Sequence, residues 1–477
     1  MSNVNGIFWF RQDLRLQDNL GLISLINKCD KIVPIYILDD NFDLGGATKW
    51  WLYKSLYSLN KSLLEKKSKL SIFKGSPRKI LLELIKGNNI NHIHWNRLYD
   101  SYSIKRDTEI KEIIALNDIT AESFNGSLLN EPWTIKNKSG SFFKVFTPYW
   151  STCLEEEKDI KLYKSPKKIP TLIINDLNIL NLKQLKLFPL KSKWIKKLSS
   201  YWVPGEKSAL ESLNHFKKNV IQDYEKGRDR PDQNFTSKLS PHLHFGEISP
   251  KRIFLEVKIE KISNTKSKKK FLAEIGWREF SYNLLYYYPK IKVEPIQKKF
   301  IKFPWKKNKN YLEAWQQGKT GYPIVDAGMR QLYETGWMHN RVRMIVGSFL
   351  CKNLLLHWWE GEKWFFNTLV DADFASNSSG WQWIAGCGAD AAPYFRVFNP
   401  VLQGLKFDPD GIYVRKYIPE LIKIPLKFIH SPWDLNLEDQ KKYECILGKN
   451  YPRPIVDLKE SRDKALYAFS KLKNLIS

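Results

Sequence analysis

The chain has 477 residues, enough for two or three domains. It carries 77 Lys and Arg against 50 Asp and Glu, a net charge of +27, which favours polyanionic partners, nucleic acid before an anionic membrane surface. Five Cys without a CxxC pair exclude a disulfide or zinc framework, and the lack of an 18-residue apolar run excludes a helical membrane span.

Five short apolar runs open the chain, at residues 7–10, 33–38, 70–73, 92–95 and 119–124. Helical patterns fall between them, for example over 49–65 and 79–86. Strands alternating with helices predict a doubly wound parallel sheet, and we place this α/β domain at residues 1–130. No G-x-G-x-x-G follows the first strand, so it is not read as an NAD site. Residues 131–200 are rich in Pro, Lys and Asn with weak periodicity, and are expected to form a connector over the surface. From residue 201 to 477 the pattern is helical, clearest over 207–224, 250–262, 268–288, 322–336 and 341–359, with a last helix at 461–475. His242 and His244 are read as structural, because no companion cluster accompanies them. We expect no leader peptide, a reducing cytoplasmic setting, a monomer, and an end without a disordered tail.

The rest of the chain converges on residues 320–400. Small residues (Ala372, Ala375, Ser376, Gly380, Ala385, Gly386, Gly388) alternate there with large aromatics. That mix suits close backbone approach to a planar ligand between flat apolar walls. Asn340, Arg343 and Met344 stand at i, i+3 and i+4, on one helix face. Trp381 and Trp383 point in different directions on any helix. A buried bundle with satisfied polar groups would show the same spacing, and spacing alone does not choose.

The motifs do choose. WMHNRVRM, DADFASNSSGWQW and DAAPYFRVFNP, with FWFRQDLRLQDN, TSKLSPHLHFGEISP and EIGWREF, closely resemble the photolyase/cryptochrome family over nearly the whole chain. The resemblance implies an N-terminal α/β antenna-chromophore domain and a C-terminal helical FAD-binding domain that takes DNA lesions. It implies FAD contacts at Tyr224, at the Thr236, Ser237, Lys238, Leu239 and Ser240 turn, and at Phe271, Trp337, Asn340, Arg343, Asp371, Asp373 and Asn377. Phe271 stands where the family often has Trp. Arg343 with Asp371 would form a charge-assisted pair beside the flavin, or simply an ion pair that holds two helices.

For substrate, the resemblance implies a cavity for a flipped pyrimidine dimer lined by Glu274, Trp277, Asn340, Met344 and Trp383. Glu274 would hydrogen-bond the charge that develops on the dimer. Trp381, Trp358 and Trp305 match the family's electron-transfer chain, although ordinary packing would also account for them. Arg228, Arg341, Arg396, Gln403 and Lys406, beside Glu274, Trp277 and Asn340, match positions near the lesion strand. Phosphate contacts of this kind weaken with salt. His339-Asn340 and Met344 depart from the (6-4) pattern, and Trp277 and Trp383 depart from the DASH cryptochrome pattern. These features imply a class I cyclobutane pyrimidine dimer photolyase that uses light and reduced, anionic FAD on UV-damaged DNA, single- or double-stranded. The alternatives are a cryptochrome light sensor or a (6-4) photolyase. Tyr102-Ser103 replaces the Asn-Glu seen in folate-binding relatives. We still expect 5,10-methenyltetrahydrofolate as antenna, with 8-hydroxydeazaflavin the second choice and no antenna the third.

Overall fold

The computed structural model describes residues 3–156, 160–174, 178–188, 193–394 and 396–474. The five expected strands are present as β1 (Asn5–Phe10), β2 (Lys31–Leu38), β3 (Ser71–Lys74), β4 (Ile90–Asn96) and β5 (Thr120–Phe124). All pair in parallel, in the order β3-β2-β1-β4-β5. Every residue of β1 is buried, as expected of a central strand covered on both faces. The crossovers are α1 (Leu20–Lys28), α2 (Gly46–Glu65), α3 (Pro77–Asn88) and α4 (Ser101–Ala115). Only parts of α2 and α3 stood out in the sequence. Side-chain caps mark the other two starts: Asn19 accepts from the Leu22 N–H, and Asp100 from the Ser103 N–H.

The chain divides into two compact units. The first comprises residues 1–195, 202–222 and 237–289, and the second 196–201, 223–236 and 290–477. This division differs from boundaries at 130 and 200, and polar anchors inside the first unit explain why. The Glu206 carboxylate accepts from the Leu16 and Gln17 N–H groups, and Arg15 donates to the Gly246 carbonyl at 2.9 Å. Trp51 Nε1 donates to Glu247 at 3.0 Å. Gly246 has φ +62°, and a Cβ there would lie 2.1 Å from the Gln12 carbonyl oxygen, so only glycine fits.

The described residues of the connector include a helix and two bridges to the sheet. Phe146–Glu155 is a helix, α5. Thr171 bridges to Ile32 of β2 and Leu180 to Ile72 of β3. Ile169 and Ile174 are buried, because the apolar residues of this Pro-rich stretch extend the sheet's edge. The long helix Thr265–Tyr287 packs on α5 so closely that a Cβ at Gly276 would meet the Trp150 ring at 2.5 Å. In that helix Glu279 is fully buried. It accepts from the Leu129 and Asn130 N–H groups, and burial pushes its carboxyl up to about 7.

The second unit is helical. Pro323–Thr335, Asn340–Ser348, Trp358–Thr368 and Phe374–Ala385 surround a core that includes Val325, Met329, Val346 and Phe349. The expected helix over 341–359 is broken. A π-turn spans Phe349–Asn353, Leu355 takes a left-handed φ of 55°, and Leu356 bridges to Lys306. No Gly or Pro announces this break. The last helix runs Leu458–Asn474, so Leu475 lies outside the described residues. Among the described residues no helix is long and apolar enough to cross a membrane.

Asp326 is the polar hub of this core. It accepts from the Thr320 N–H and O–H at 2.7 Å, the Gly321 N–H at 3.0 Å and the Tyr451 O–H at 2.6 Å. Asp326→Ala leaves four buried donors without their acceptor and should cost about 3–5 kcal/mol in urea unfolding. A loss under about 1 kcal/mol would mean that water replaces the carboxylate. Glu279 generates a pH-dependent expectation. Its folded pKa is raised, so the native state binds this proton more tightly than the unfolded chain does. The stabilisation is full below about 4.5 and is lost as pH rises through about 7. Relative to Glu279→Gln, the natural chain should lose up to about 3 kcal/mol across that window. Parallel pH profiles of the two proteins would refute the assignment.

Candidate active site

The site residues of the second unit cluster at helix starts. Gly336, with φ +68°, ends the helix Pro323–Thr335, and His339 caps the next one by accepting from the Arg341 N–H at 3.2 Å. Burial holds the His339 imidazole down at about 4, so it is neutral and structural. Asn340, Arg343 and Met344 then share one face, as the spacing predicts. Arg343 Nε donates to the Met338 carbonyl at 2.8 Å, and its Nη2 lies 2.9 and 3.1 Å from the Asp371 carboxylate oxygens. The expected Arg343–Asp371 pair is therefore formed, with Asp371 buried.

Asp373 caps the helix Phe374–Ala385 through the Ser376 N–H at 2.8 Å. One turn on, the buried Asn377 donates from Nδ2 to the Glu362 carbonyl and carboxylate, both at 3.1 Å. Its amide is thereby oriented by a residue that the sequence reading did not single out. Trp337, Met344 and Trp383 are half-buried, and Met344 and Trp383 pack against the core.

Of the three expected electron-transfer residues, Trp381 and Trp358 are buried and Trp305 is half-buried. Trp381 packs edge-on against Phe365 at 4.9 Å and Trp315 at 6.1 Å. The His357 ring lies 5.5 Å from Trp358 and 5.3 Å from Trp305, and so links these two. Burial holds the His357 imidazole at about 4. His357 also caps the helix Trp358–Thr368 by accepting from the Trp359 N–H.

The basic residues expected near DNA are partly engaged by acids. Arg341 pairs with Asp229 at 2.9 Å, touches Met344 Sδ at 3.7 Å and lies over Phe407. Arg228 lies 3.9 Å from the same carboxylate and over the ring of the buried Tyr224. Arg396 and Lys406 are exposed, and Gln403 is half-buried. The buried Lys352 donates to the Arg396 carbonyl at 2.9 Å and fixes the backbone there. Thr236 is half-buried.

In the first unit, Ser237–Ser240 form the expected turn. Lys238 has φ +53°, the Leu239 N–H reaches Ser237 Oγ at 3.4 Å, and Ser240 opens a five-residue helix. Phe271 is buried 4.3 Å from Phe216. Glu274 and Trp277 are half-buried one turn apart, and Trp277 stacks flat on Phe146 with centroids 3.7 Å apart and planes at 8°.

A small pocket also opens at the carboxyl ends of β1 and β2, lined by Trp9, Arg11, Tyr36, Asp39, Leu52 and Arg106 among others. It lies where strand order reverses around β1, the usual ligand position in open α/β sheets. The Tyr102 O–H and Arg106 Nη1 both donate to the Asp39 carboxylate, at 2.7 and 3.0 Å, while Arg11 and Arg106 both pair with Asp107. No sequence fingerprint marks it, because its polar groups come from the ends of β1 and β2 and from α4, which are far apart in the chain.

Residues 6–170 match the family model described as DNA photolyase, and residues 271–471 that described as the FAD binding domain of DNA photolyase. The chain is 44% identical over 469 residues to a deoxyribodipyrimidine photo-lyase of Agrobacterium fabrum (strain C58), covering 98% of each. It is 37% identical to cryptochrome-2 of Arabidopsis thaliana, over 98% of this chain and 78% of that protein. Its structure matches that of a bacterial class III photolyase from Agrobacterium tumefaciens with a TM-score of 0.96 and 42% identity, covering 99% of this chain and 98% of that one. The chain belongs to the photolyase/cryptochrome family.

Gly361 marks how tightly the tryptophan region is packed, since a Cβ there would lie 2.1 Å from the Trp381 ring. Gly361→Ala should lower stability by about 1–3 kcal/mol through overpacking. It should also change the near-ultraviolet circular dichroism. An unchanged melt and spectrum would mean that the helix shifts freely.

Proposed function

We propose that the protein is a light-driven lyase that splits cyclobutane pyrimidine dimers in UV-damaged DNA, single- or double-stranded, acting as a monomer. The observation that carries this reading is Trp277. Its indole is held flat by Phe146 at 3.7 Å, one helical turn from Glu274. A rigid aromatic face beside a carboxyl group suits a dimer that is apolar on its ring faces and polar at its base edges. We assign dimer binding to Glu274, Trp277, Asn340, Met344 and Trp383.

The residues fit FAD. Arg343 and Asp371 offer a neutralised polar pair, and Glu362 holds the Asn377 amide nitrogen so that its carbonyl oxygen is left to accept. Reduced FAD, when bound, supplies the photoexcited electron and takes it back, so the reaction is redox-neutral overall. Tyr224, the Thr236–Ser240 turn, Phe271, Trp337, Asp373 and Asn377 are assigned to hold it. Trp305, Trp358 and Trp381 are assigned to its photoreduction. Arg228, Arg341, Arg396, Gln403 and Lys406 are assigned to the DNA strand.

The 42% identity to a bacterial class III photolyase supports placing the chain with that class, in preference to the class I expected from sequence motifs. The pocket's place at the strand ends beside β1 is where an antenna chromophore is assigned, with 5,10-methenyltetrahydrofolate the first assignment and 8-hydroxydeazaflavin the second. The rival reading, a cryptochrome sensor, rests on the 37% identity to a plant cryptochrome.

The test is loss of a thymine cyclobutane dimer from a short oligonucleotide, with reduced protein, in blue light and in darkness, beside a (6-4) substrate. Light-dependent loss of the cyclobutane dimer alone is expected. Neither lesion repaired, with FAD bound, would favour the sensor. Glu274→Ala should reduce repair per absorbed photon by about 10-fold or more while flavin content holds. Parallel loss of both would make Glu274 structural.

A further inference from the structure

The sheet of the first unit carries a cluster that the lyase reading does not use. His92 and His94 are two apart on β4 and point to the same face. In the parallel register His94 lies directly opposite Glu122 of β5. Three side chains with nitrogen and oxygen donors therefore sit side by side on one face. Their candidate ligand atoms all lie within 4.8 Å of one another.

The hydrogen bonding around the cluster points to a ligand. His94 is fully buried, and its Nδ1 faces the Gly21 carbonyl at 3.2 Å. That contact fixes the proton on Nδ1 and leaves Nε2 with a lone pair, the arrangement of metal-binding histidines. Nε2 has no hydrogen-bond partner and lies 3.7 Å from Glu122 Oε1. Two ligands on one tetrahedral zinc ion are separated by roughly 3.3 Å, from bond lengths near 2.0–2.1 Å. The buried Nδ1 of His92 also lacks a partner. Two orphaned imidazole nitrogens beside one carboxylate are costly unless something is shared between them. Burial holds both imidazoles neutral, the form that binds metal, and Lys28 holds Glu122 ionised.

We propose that His92, His94 and Glu122 form a site for a divalent transition metal, Zn²⁺ in particular, with water completing a four-coordinate shell. Imidazole and carboxylate donors suit Zn²⁺ over Mg²⁺ or Ca²⁺. Lys28 now pairs with Glu122 and is substantially exposed, so it swings to solvent when the ion enters. The bound ion would tie β4 to β5, which lies at the edge of the sheet. The site is structural or regulatory, separate from the residues assigned to repair.

The experiment titrates flavin-loaded protein with Zn²⁺ against a chromophoric chelator, and with Co²⁺ as a spectroscopic probe. One ion per chain is expected, with the visible Co²⁺ absorption of a four-coordinate site. His92→Gln and Glu122→Gln, at half-buried positions, should each weaken binding by about 10-fold or more. Lys28→Ala should leave or strengthen it. His94→Gln is the stricter variant, and its fold is checked by the flavin spectrum. No uptake, or uptake unchanged in both half-buried variants, overturns the proposal, the latter by placing the metal elsewhere.

Discussion

The second unit depends on one guanidinium. Arg343 holds the Met338 carbonyl and both oxygens of Asp371, and so joins the segment before one helix to the segment before another. A buried carboxylate without such a partner would be protonated or expelled. The pair therefore fixes where residues 338–344 lie relative to residues 371–377. Breaking it by removing one partner would leave the other charge stranded, which costs far more than the pair contributes.

The same economy of placement runs through the helix starts. His339, His357 and Asp373 each cap a helix with a side chain. Asn340 and Trp358 directly follow their caps, and Asn377 lies one turn after its own. First-turn residues are pinned at one end by the cap and at the other by the core, so their side chains lose little precision to fraying. Histidine is an uncommon cap, and burial makes it workable here. Both imidazoles are held near 4 and stay neutral, so their Nδ1 can accept from backbone.

What the sequence made legible follows from range. Strands β1 and β2 were readable because each carries a continuous apolar run, and the Arg343–Asp371 pair because both residues fall within long motifs. The break at 349–357 was not, since it depends on Leu355 adopting a left-handed φ with no Gly or Pro to signal it. The connector's bridges to Ile32 and Ile72 were not, because pairing at a sheet edge is set by register and not by local pattern. Residues 92–95 read only as a strand, and Glu122 joins His92 and His94 only through the β4–β5 register. Glu362 carried no signal at all, and only its contact with Asn377 reveals that it orients that amide.

The charge count needs the same correction from structure. A net +27 suggests a surface that grips any polyanion. Around the residues assigned to DNA, however, Asp229 sits against both Arg228 and Arg341, and Arg230 is shared between Asp232 and Asp410. A phosphate must compete with those carboxylates, whereas Arg396 and Lys406 are exposed to solvent. Each arginine already paired adds less counterion release on binding than a free one. On the proposed function, undamaged duplex, which offers phosphates alone, would be held less tightly than the lysine and arginine total implies. A lesion bound as proposed would regain the difference through apolar contacts that salt does not screen. Selectivity for damage would then come from tempering the positive field, not from strengthening it.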